Sequence, residues 1–190
     1  MMEYTISGFT PIILAAVSAT TLNRLAFDSL PTFIVPELAL HSFWELLAIV
    51  AMGIGIGALA AVFIVLLNWI TKKTRTVPIF VRMSLGGTAV GICAIAMPQV
   101  MGIGYDTVNA ALFGDMLVVT LSLVLLAKLV ATAISVGMGI PAGLIGPTLF
   151  MGAMFGSAVG QFLVMFSPNV SHPGLYTILG MGAMMGATLQ

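Results

Sequence analysis

Charged residues are scarce in this sequence. Six basic and six acidic residues make up 6% of its 190 residues, whereas a soluble domain carries about 25%. The chain is 60% hydrophobic with a net charge of zero, so its charge gives no indication of nucleic-acid binding. This shortage excludes an ordinary soluble domain, and we expect an integral protein that crosses a lipid bilayer several times.

Cysteine and catalytic combinations of side chains are scarce as well. Cys93 is the only cysteine, so the chain can form neither an internal disulfide nor a cysteine-based metal site. No pair of acids and no serine–histidine pair falls within a long apolar run, and His41 and His172 stand in polar connections. Because acid–base chemistry needs neighbouring titratable groups, we expect no enzyme activity, no metal and no cofactor.

Long apolar runs, separated by proline, glycine and polar residues, dominate what is present. A helix needs about 20 apolar residues to cross the hydrocarbon core. The pattern predicts an all-α membrane protein, a bundle of tilted and partly broken transmembrane helices in one domain that covers residues 1–190. The predicted helices are 6–26, 43–71, 79–97, 115–136, 145–166 and 174–190.

One basic cluster predicts the orientation in the membrane. The connection TKKTRTVP, residues 71–78, holds three basic residues, and Arg82 follows shortly after it. Short loops rich in lysine and arginine stay in the cytoplasm. We therefore assign loop 71–78 to the cytoplasmic side of a plasma membrane or a bacterial inner membrane, and the connection 167–174 to the outside.

Small residues recur four positions apart in several predicted helices. This spacing lets helix backbones approach closely in lipid, where packing drives helix association. Close helix packing is therefore the expected role of these glycines. They are Gly53 and Gly57, Gly87 and Gly91, Gly152, Gly156 and Gly160, and Gly182 and Gly186.

Lys128 is an ionisable residue within an apolar run, in LLAKLVATAIS. Charged residues inside membrane spans often mark the path of an ion or substrate. The alternative is that the side chain extends to the cytoplasmic interface, where its ammonium group would be hydrated. The sequence leaves both interpretations open.

A break in a buried helix is the strongest functional signal. In the stretch GMGIPAGLIGPTLFMGAMFG, residues 137–156, one predicted helix ends and the next begins without any charged residue. Irregular backbone at membrane depth persists only where protein buries it or where it lines a watery cavity. The residues that produce the break are Gly139, Pro141, Gly143, Gly146 and Pro147.

The break should leave backbone amides free for an anion. The amides of Leu144, Ile145 and Gly146 precede Pro147 at the start of the new helix, where no carbonyl lies one turn earlier to accept from them. A helix N-terminus with free N–H groups favours an anion, and transporters use such half-helices to bind anionic solutes. The alternative is a helix kinked by proline that binds nothing.

At this break the sequence resembles the CLC family of chloride channels and H⁺/Cl⁻ exchangers. The family's third ion-pathway motif reads G-x-F-x-P at the start of a half-helix, and residues 143–147 read GLIGP, followed by TLFMGAMFGSAVG. Other segments match the family in the expected order, so the resemblance covers essentially the whole chain. They are FTPIILAAVSATTLNR, VPELALHSFWELL, RMSLGGTAVGICAIAMPQVMGIGYDTVNAAL, AKLVATAISVGMGIPAG and GLYTILGMGAMMGA.

The resemblance implies a fold, a ligand and an assembly. The chain would supply part of an inverted-repeat CLC fold, mostly of its second half, and the backbone amides of Leu144 and Ile145 would contact chloride. Ile145 replaces the family's usual phenylalanine, which preserves the amide but not the ring. A homodimer would form through residues around Pro11 to Asn23, with a separate pore in each protomer.

Other motifs of the family have no counterpart in the chain. Neither its serine motif, GSGIP, nor its gating-glutamate motif, G-K/R-E-G-P, occurs, and GMGIP at 137–141 has Met138 where serine would stand. The family's pore tyrosine is absent too. We therefore expect an internal fragment of a membrane domain that does not conduct ions by itself.

The resemblance implies transmembrane chloride transport, by a channel or by a proton-coupled exchanger. Chloride or a similar small anion, membrane lipid and a second copy of the complete protein are the expected partners, and nucleic acid is not. The alternative is another secondary transporter with broken helices, specific for an organic anion or a Na⁺-coupled solute.

Overall fold

The computed structural model describes residues 6–27, 33, 35, 40, 42–166 and 170–189. His41 and the first residues of connection 167–174 lie outside this part of the chain. The chain divides into two units, residues 1–32 and 33–190. The first unit contributes one helix, α1 (Ile6–Phe27).

Within the described residues, the second unit consists of helices and one 3₁₀ turn, Pro98–Val100, which confirms the all-α class. Four of the helices, α2 (Trp44–Thr74), α3 (Ile79–Ala96), α5 (Val118–Gly137) and α6 (Ile145–Phe166), are long and apolar enough to cross a membrane. At about 1.5 Å per residue, the 31 residues of α2 exceed the thickness of the hydrocarbon core, so α2 is long enough to span it with tilt. The helices are α2 (Trp44–Thr74), α3 (Ile79–Ala96), α4 (Tyr105–Phe113), α5 (Val118–Gly137), α6 (Ile145–Phe166) and α7 (Pro173–Thr188).

The predicted helices all occur, with ends shifted by less than one turn. Helix α2 continues to Thr74 because Lys72 and Lys73 occupy its last turn, where cations interact favourably with the helix dipole. Helix α7 begins at Pro173, and the exposed His172 caps it: the Gly174 amide donates to His172 Nδ1 at 3.1 Å. His172 is therefore a helix cap and not simply a solvated loop residue.

Helix α4 was not predicted. Gly104 and Gly114 bound it, with φ of +77° and +78°. Gly114 ends the helix as a left-handed glycine cap. The amide of Gly114 donates to the Ala111 carbonyl, and the amide of Asp115 donates to the Ala110 carbonyl. Its nine residues are too few for a membrane span, so the search for long apolar runs passed over it.

Packing between α6 and α7 confirms the expected role of one glycine series. A Cβ atom added at Gly152, Gly156 or Gly160 would collide with the backbone of α7, so these glycines set the distance between the two helices. The other pairs meet no neighbouring helix in the described chain, because a Cβ there would have no atom within 4 Å, and their role in packing stays a prediction. Those residues are Gly53, Gly57, Gly87, Gly91, Gly182 and Gly186.

Hydroxyl groups tie α4 to this pair of helices. The Ser157 hydroxyl on α6 donates to the Ala111 carbonyl at 3.0 Å, and the Thr177 hydroxyl on α7 lies 3.4 Å from the same oxygen. On the neighbouring α2, the buried Glu45 carboxylate accepts from the Tyr176 hydroxyl at 3.0 Å. Helix α6 packs against α7, α5 and α4.

Candidate anion-binding site

The predicted break between α5 and α6 is present. The amides of Met138, Gly139 and Ile140 close the end of α5 by donating to carbonyls of its last turn. Gly139 adopts φ +84°, a left-handed conformation that favours glycine. The chain then runs without regular structure until α6 starts at Ile145.

The amides at the start of α6 have no hydrogen-bond acceptor. In the described part of the chain, the N–H groups of Leu144, Ile145 and Gly146 donate no hydrogen bond, and neither do those of Ala142 and Gly143. The first bond of the new helix runs from the Thr148 amide to the Leu144 carbonyl at 3.0 Å. The start of α6 therefore presents a continuous run of free donors, and the positive end of the helix dipole lies among them.

Two cavities flank this helix start. Gly143 and Pro147, four residues apart, line a cavity of about 470 Å³, whereas Ile145 and Gly146 line a cavity of about 220 Å³ together with Tyr105. Gly146, Leu149 and Phe150, three and four residues apart, line the smaller cavity from one face of α6, whereas Pro147 is the one residue of α6 that lines the larger cavity. The Leu144 side chain lines neither cavity and packs against the hydrophobic core.

Lys128 lies in the wall of the larger cavity. Its side chain is only 3% exposed, and its ammonium donates to the carbonyls of Val100 at 2.7 Å and Gly102 at 2.6 Å. The Phe150 ring covers another side, with its centroid 4.9 Å from Nζ. Lys128 is thus held inside the helix packing. The interpretation in which its side chain extends to the cytoplasmic interface, with a hydrated ammonium group, is wrong.

Gly139 and Pro141 line neither cavity, and Gly139 instead contacts Arg82 on α3. A Cβ atom at Gly139 would come 2.6 Å from Arg82 Nη2, and the buried Nε of Arg82 has no hydrogen-bond partner in the described chain. Because Gly139 and Arg82 lie far apart in sequence, no local pattern pointed to this contact.

Two hydroxyl residues of the cavity were also missed. Thr132 and Ser135 line the larger cavity with Lys128. They follow Lys128 at the spacing i+4 and i+7, which places all three on one face of α5. That spacing was visible in the sequence and could have identified them.

Comparison with known proteins gives the following matches. The family model described as voltage gated chloride channel matches residues 1–190. A ClcB-like chloride channel protein of Ralstonia nicotianae is 34% identical over 94% of this chain and 42% of its own length. The H⁺/Cl⁻ exchange transporter ClcA of Vibrio cholerae is 28% identical over 99% of this chain and 42% of its own length.

A plant relative covers a similar part of the chain. Chloride channel protein CLC-f of Arabidopsis thaliana is 30% identical over 93% of this chain, which corresponds to 25% of its own length. The chain thus spans less than half the length of each of these three relatives.

Proposed function

This chain belongs to the voltage gated chloride channel family, and we propose that it supplies the anion-binding part of a protein that transports chloride across the membrane, as a channel or as a proton-coupled exchanger. Within the described residues, four of its helices are able to span a membrane. The observation that carries the proposal is the run of free amides at the start of α6, where Leu144 and Ile145 would donate to the ion. Gly143, Gly146 and Pro147 support the site by breaking the helix there.

The proposed mechanism is exchange of water for backbone donors. A chloride ion that enters the bilayer loses part of its hydration shell, which is costly in a medium of low dielectric constant. Amides at a helix N-terminus replace that water with fixed dipoles. They carry partial charges, so they hold the ion less tightly than a directly coordinating cationic side chain would, and rapid release remains compatible with binding.

Ile145 stands where the family usually has phenylalanine. Its side chain is 54% exposed, so it is free of tight packing within this chain, and its amide is the group that the proposed mechanism uses. Any step of transport that depends on an aromatic ring at this position is therefore expected to differ from that of relatives with phenylalanine.

A flux measurement on the complete protein tests the proposed function. Reconstituted into liposomes, the protein is expected to release trapped chloride at a rate well above that of protein-free vesicles. Release of a small carboxylate such as acetate or glutamate in place of chloride would contradict the proposal and support an organic-anion transporter. Empty liposomes and liposomes with heat-inactivated protein are the controls.

The domain, the assembly and the cell membrane are also proposals. The chain would form part of one transmembrane domain, mostly its second half, because it spans about two fifths of two bacterial relatives. A homodimer would form through the region of Pro11 to Asn23 on α1. Each protomer would then contain its own anion site, in a bacterial inner membrane or a plasma membrane.

Connection 71–78 would face the cytoplasm. Lys72, Lys73 and Arg75 lie exposed at the end of α2, and the positive-inside rule applies to such short connections. With Cys93 replaced by serine, an Arg75→Cys variant in sealed cells should react with a membrane-impermeant maleimide only after permeabilisation. Labelling in intact cells would reverse the orientation, and cysteine-free protein provides the background.

A further inference from the structure

Lys128 is a buried cation that pairs with no acidic residue in the part of the chain that the structure describes. None of the acidic residues in the described chain, Glu45, Asp106 and Asp115, lines its cavity, and the two groups that bind the ammonium are neutral carbonyls. Carbonyl oxygens solvate a cation but leave its net charge in place. A buried charge is costly unless an opposite charge accompanies it, so the geometry calls for an anion nearby.

Lys128 also changes what the carbonyls of Val100 and Gly102 present to the cavity. Both residues line it, and free carbonyl oxygens on that wall would repel an anion. Because the ammonium occupies both oxygens, this side of the cavity becomes positive instead of negative. An ammonium has three protons, so its donor capacity exceeds the two bonds made to the carbonyls.

The rest of the polar lining offers further donors. Thr132 is 7% exposed and Ser135 is half-buried, and the hydroxyl of neither residue makes a hydrogen bond in the described chain. Other helical hydroxyls, such as that of Ser122, donate to a carbonyl four residues earlier. Ala142 and Gly143, whose amides donate no hydrogen bond in the described chain, also line the cavity.

The size of the cavity indicates how much water an ion would keep. Its volume is about 470 Å³, whereas a water molecule occupies about 30 Å³ in the liquid. A single dehydrated halide would fill only a small part of it, but an ion with much of its first hydration shell would fit. The glycines of α3 that meet no neighbour, Gly87 and Gly91, widen this cavity.

We infer that this cavity is a second anion subsite, where Lys128 is the fixed countercharge and Thr132 and Ser135 are donors to a partly hydrated chloride. The inference rests on the proposed chloride transport. The subsite would hold a chloride ion beside the α6 amides, on the side where Gly143 and Pro147 line the cavity. Such a subsite raises the local chloride concentration, so it should determine the rate of transport when the chloride concentration is low.

The test compares chloride dependence of flux in the complete, reconstituted protein. Lys128→Gln keeps donors for the two carbonyls but removes the charge, and it should raise the chloride KM about tenfold while changing the maximal rate little, since a lost charged partner shifts an affinity by about that factor. Lys128→Arg should restore the KM. Lys73→Gln, which removes an exposed lysine from α2, is the matched control and should behave as the original protein.

A second variant covers the case in which Lys128→Gln does not fold. Thr132→Val has nearly the same shape, leaves the lysine and its carbonyl bonds intact, and should raise the chloride KM severalfold. A KM unchanged in both Lys128→Gln and Thr132→Val, or in Thr132→Val alone if the former does not fold, would overturn the subsite. The proposed function would survive that result if the wild-type protein still transports chloride, so the two failures are distinguishable.

Discussion

Replacing Ile145 with proline should abolish chloride binding. Proline at the first position of a helix fits the backbone, since φ is already near its fixed value and no helical hydrogen bond is lost there. The change removes one free N–H group, and a hydrogen bond to a charged partner contributes about 1.5–3 kcal/mol. At about 1.4 kcal/mol per factor of ten, the chloride Kd should rise at least tenfold, beyond what titration calorimetry detects for a weak ion site.

Side-chain variants at the same position separate the amide from the side chain. Ile145→Val and Ile145→Phe both retain the N–H group, and the 54% exposure of the side chain leaves room for either. Both should bind chloride as the original protein does. If Ile145→Pro binds chloride normally, or if Ile145→Val loses binding as completely as proline does, the amide is not the ligand.

Replacing Gly156 with alanine should cause a large loss of stability. An added Cβ would come 2.8 Å from the Tyr176 carbonyl carbon and 3.0 Å from the Thr177 Cα. Because backbone atoms on α7 cannot rotate away as a side chain can, α6 and α7 must separate along their contact. Overpacking costs about 1–3 kcal/mol, and we expect the upper part of this range, which outweighs the gain in helix propensity of about 1 kcal/mol.

Gly182→Ala is the matched control for this prediction. It lies on α7, and a Cβ there has no neighbour within 4 Å in the described chain. The temperature at which half of the detergent-solubilised protein leaves the monodisperse chromatographic peak should fall by several degrees for Gly156→Ala. It should stay the same or rise for Gly182→Ala, which gains helix propensity without a collision. Equal temperatures for the two variants would show that the α6–α7 distance does not depend on glycine.

The membrane helices were predictable because lipid imposes a simple rule. A spanning segment must satisfy its own backbone and present apolar side chains, so an uncharged, mostly apolar run such as 145–166 indicates both the type and the bounds of α6. Helix α4 follows a different rule. It is short and depends on glycine caps at Gly104 and Gly114, which a search for long apolar runs does not detect.

The candidate site was predictable only where its chemistry is local. Free amides at Leu144 and Ile145 follow from proline and glycine in one short stretch, and this inference needs no tertiary contact. The bonds from Lys128 to Val100 and Gly102 join segments almost 30 residues apart, and the approach of Arg82 to Gly139 joins α3 to the α5–α6 connection. Such contacts arise from packing between helices, and no spacing rule within a helix predicts them.

The central proposal is that backbone amides at the start of α6, and not a cationic side chain, contact chloride. Crystals of the complete protein grown in bromide test it most directly, because bromide replaces chloride and scatters anomalously. We predict an anomalous peak within hydrogen-bonding distance of the amide nitrogens of both Leu144 and Ile145. A map in which these two amides donate to protein carbonyls, or in which the only bromide contacts a side-chain ammonium or guanidinium, would contradict the proposal.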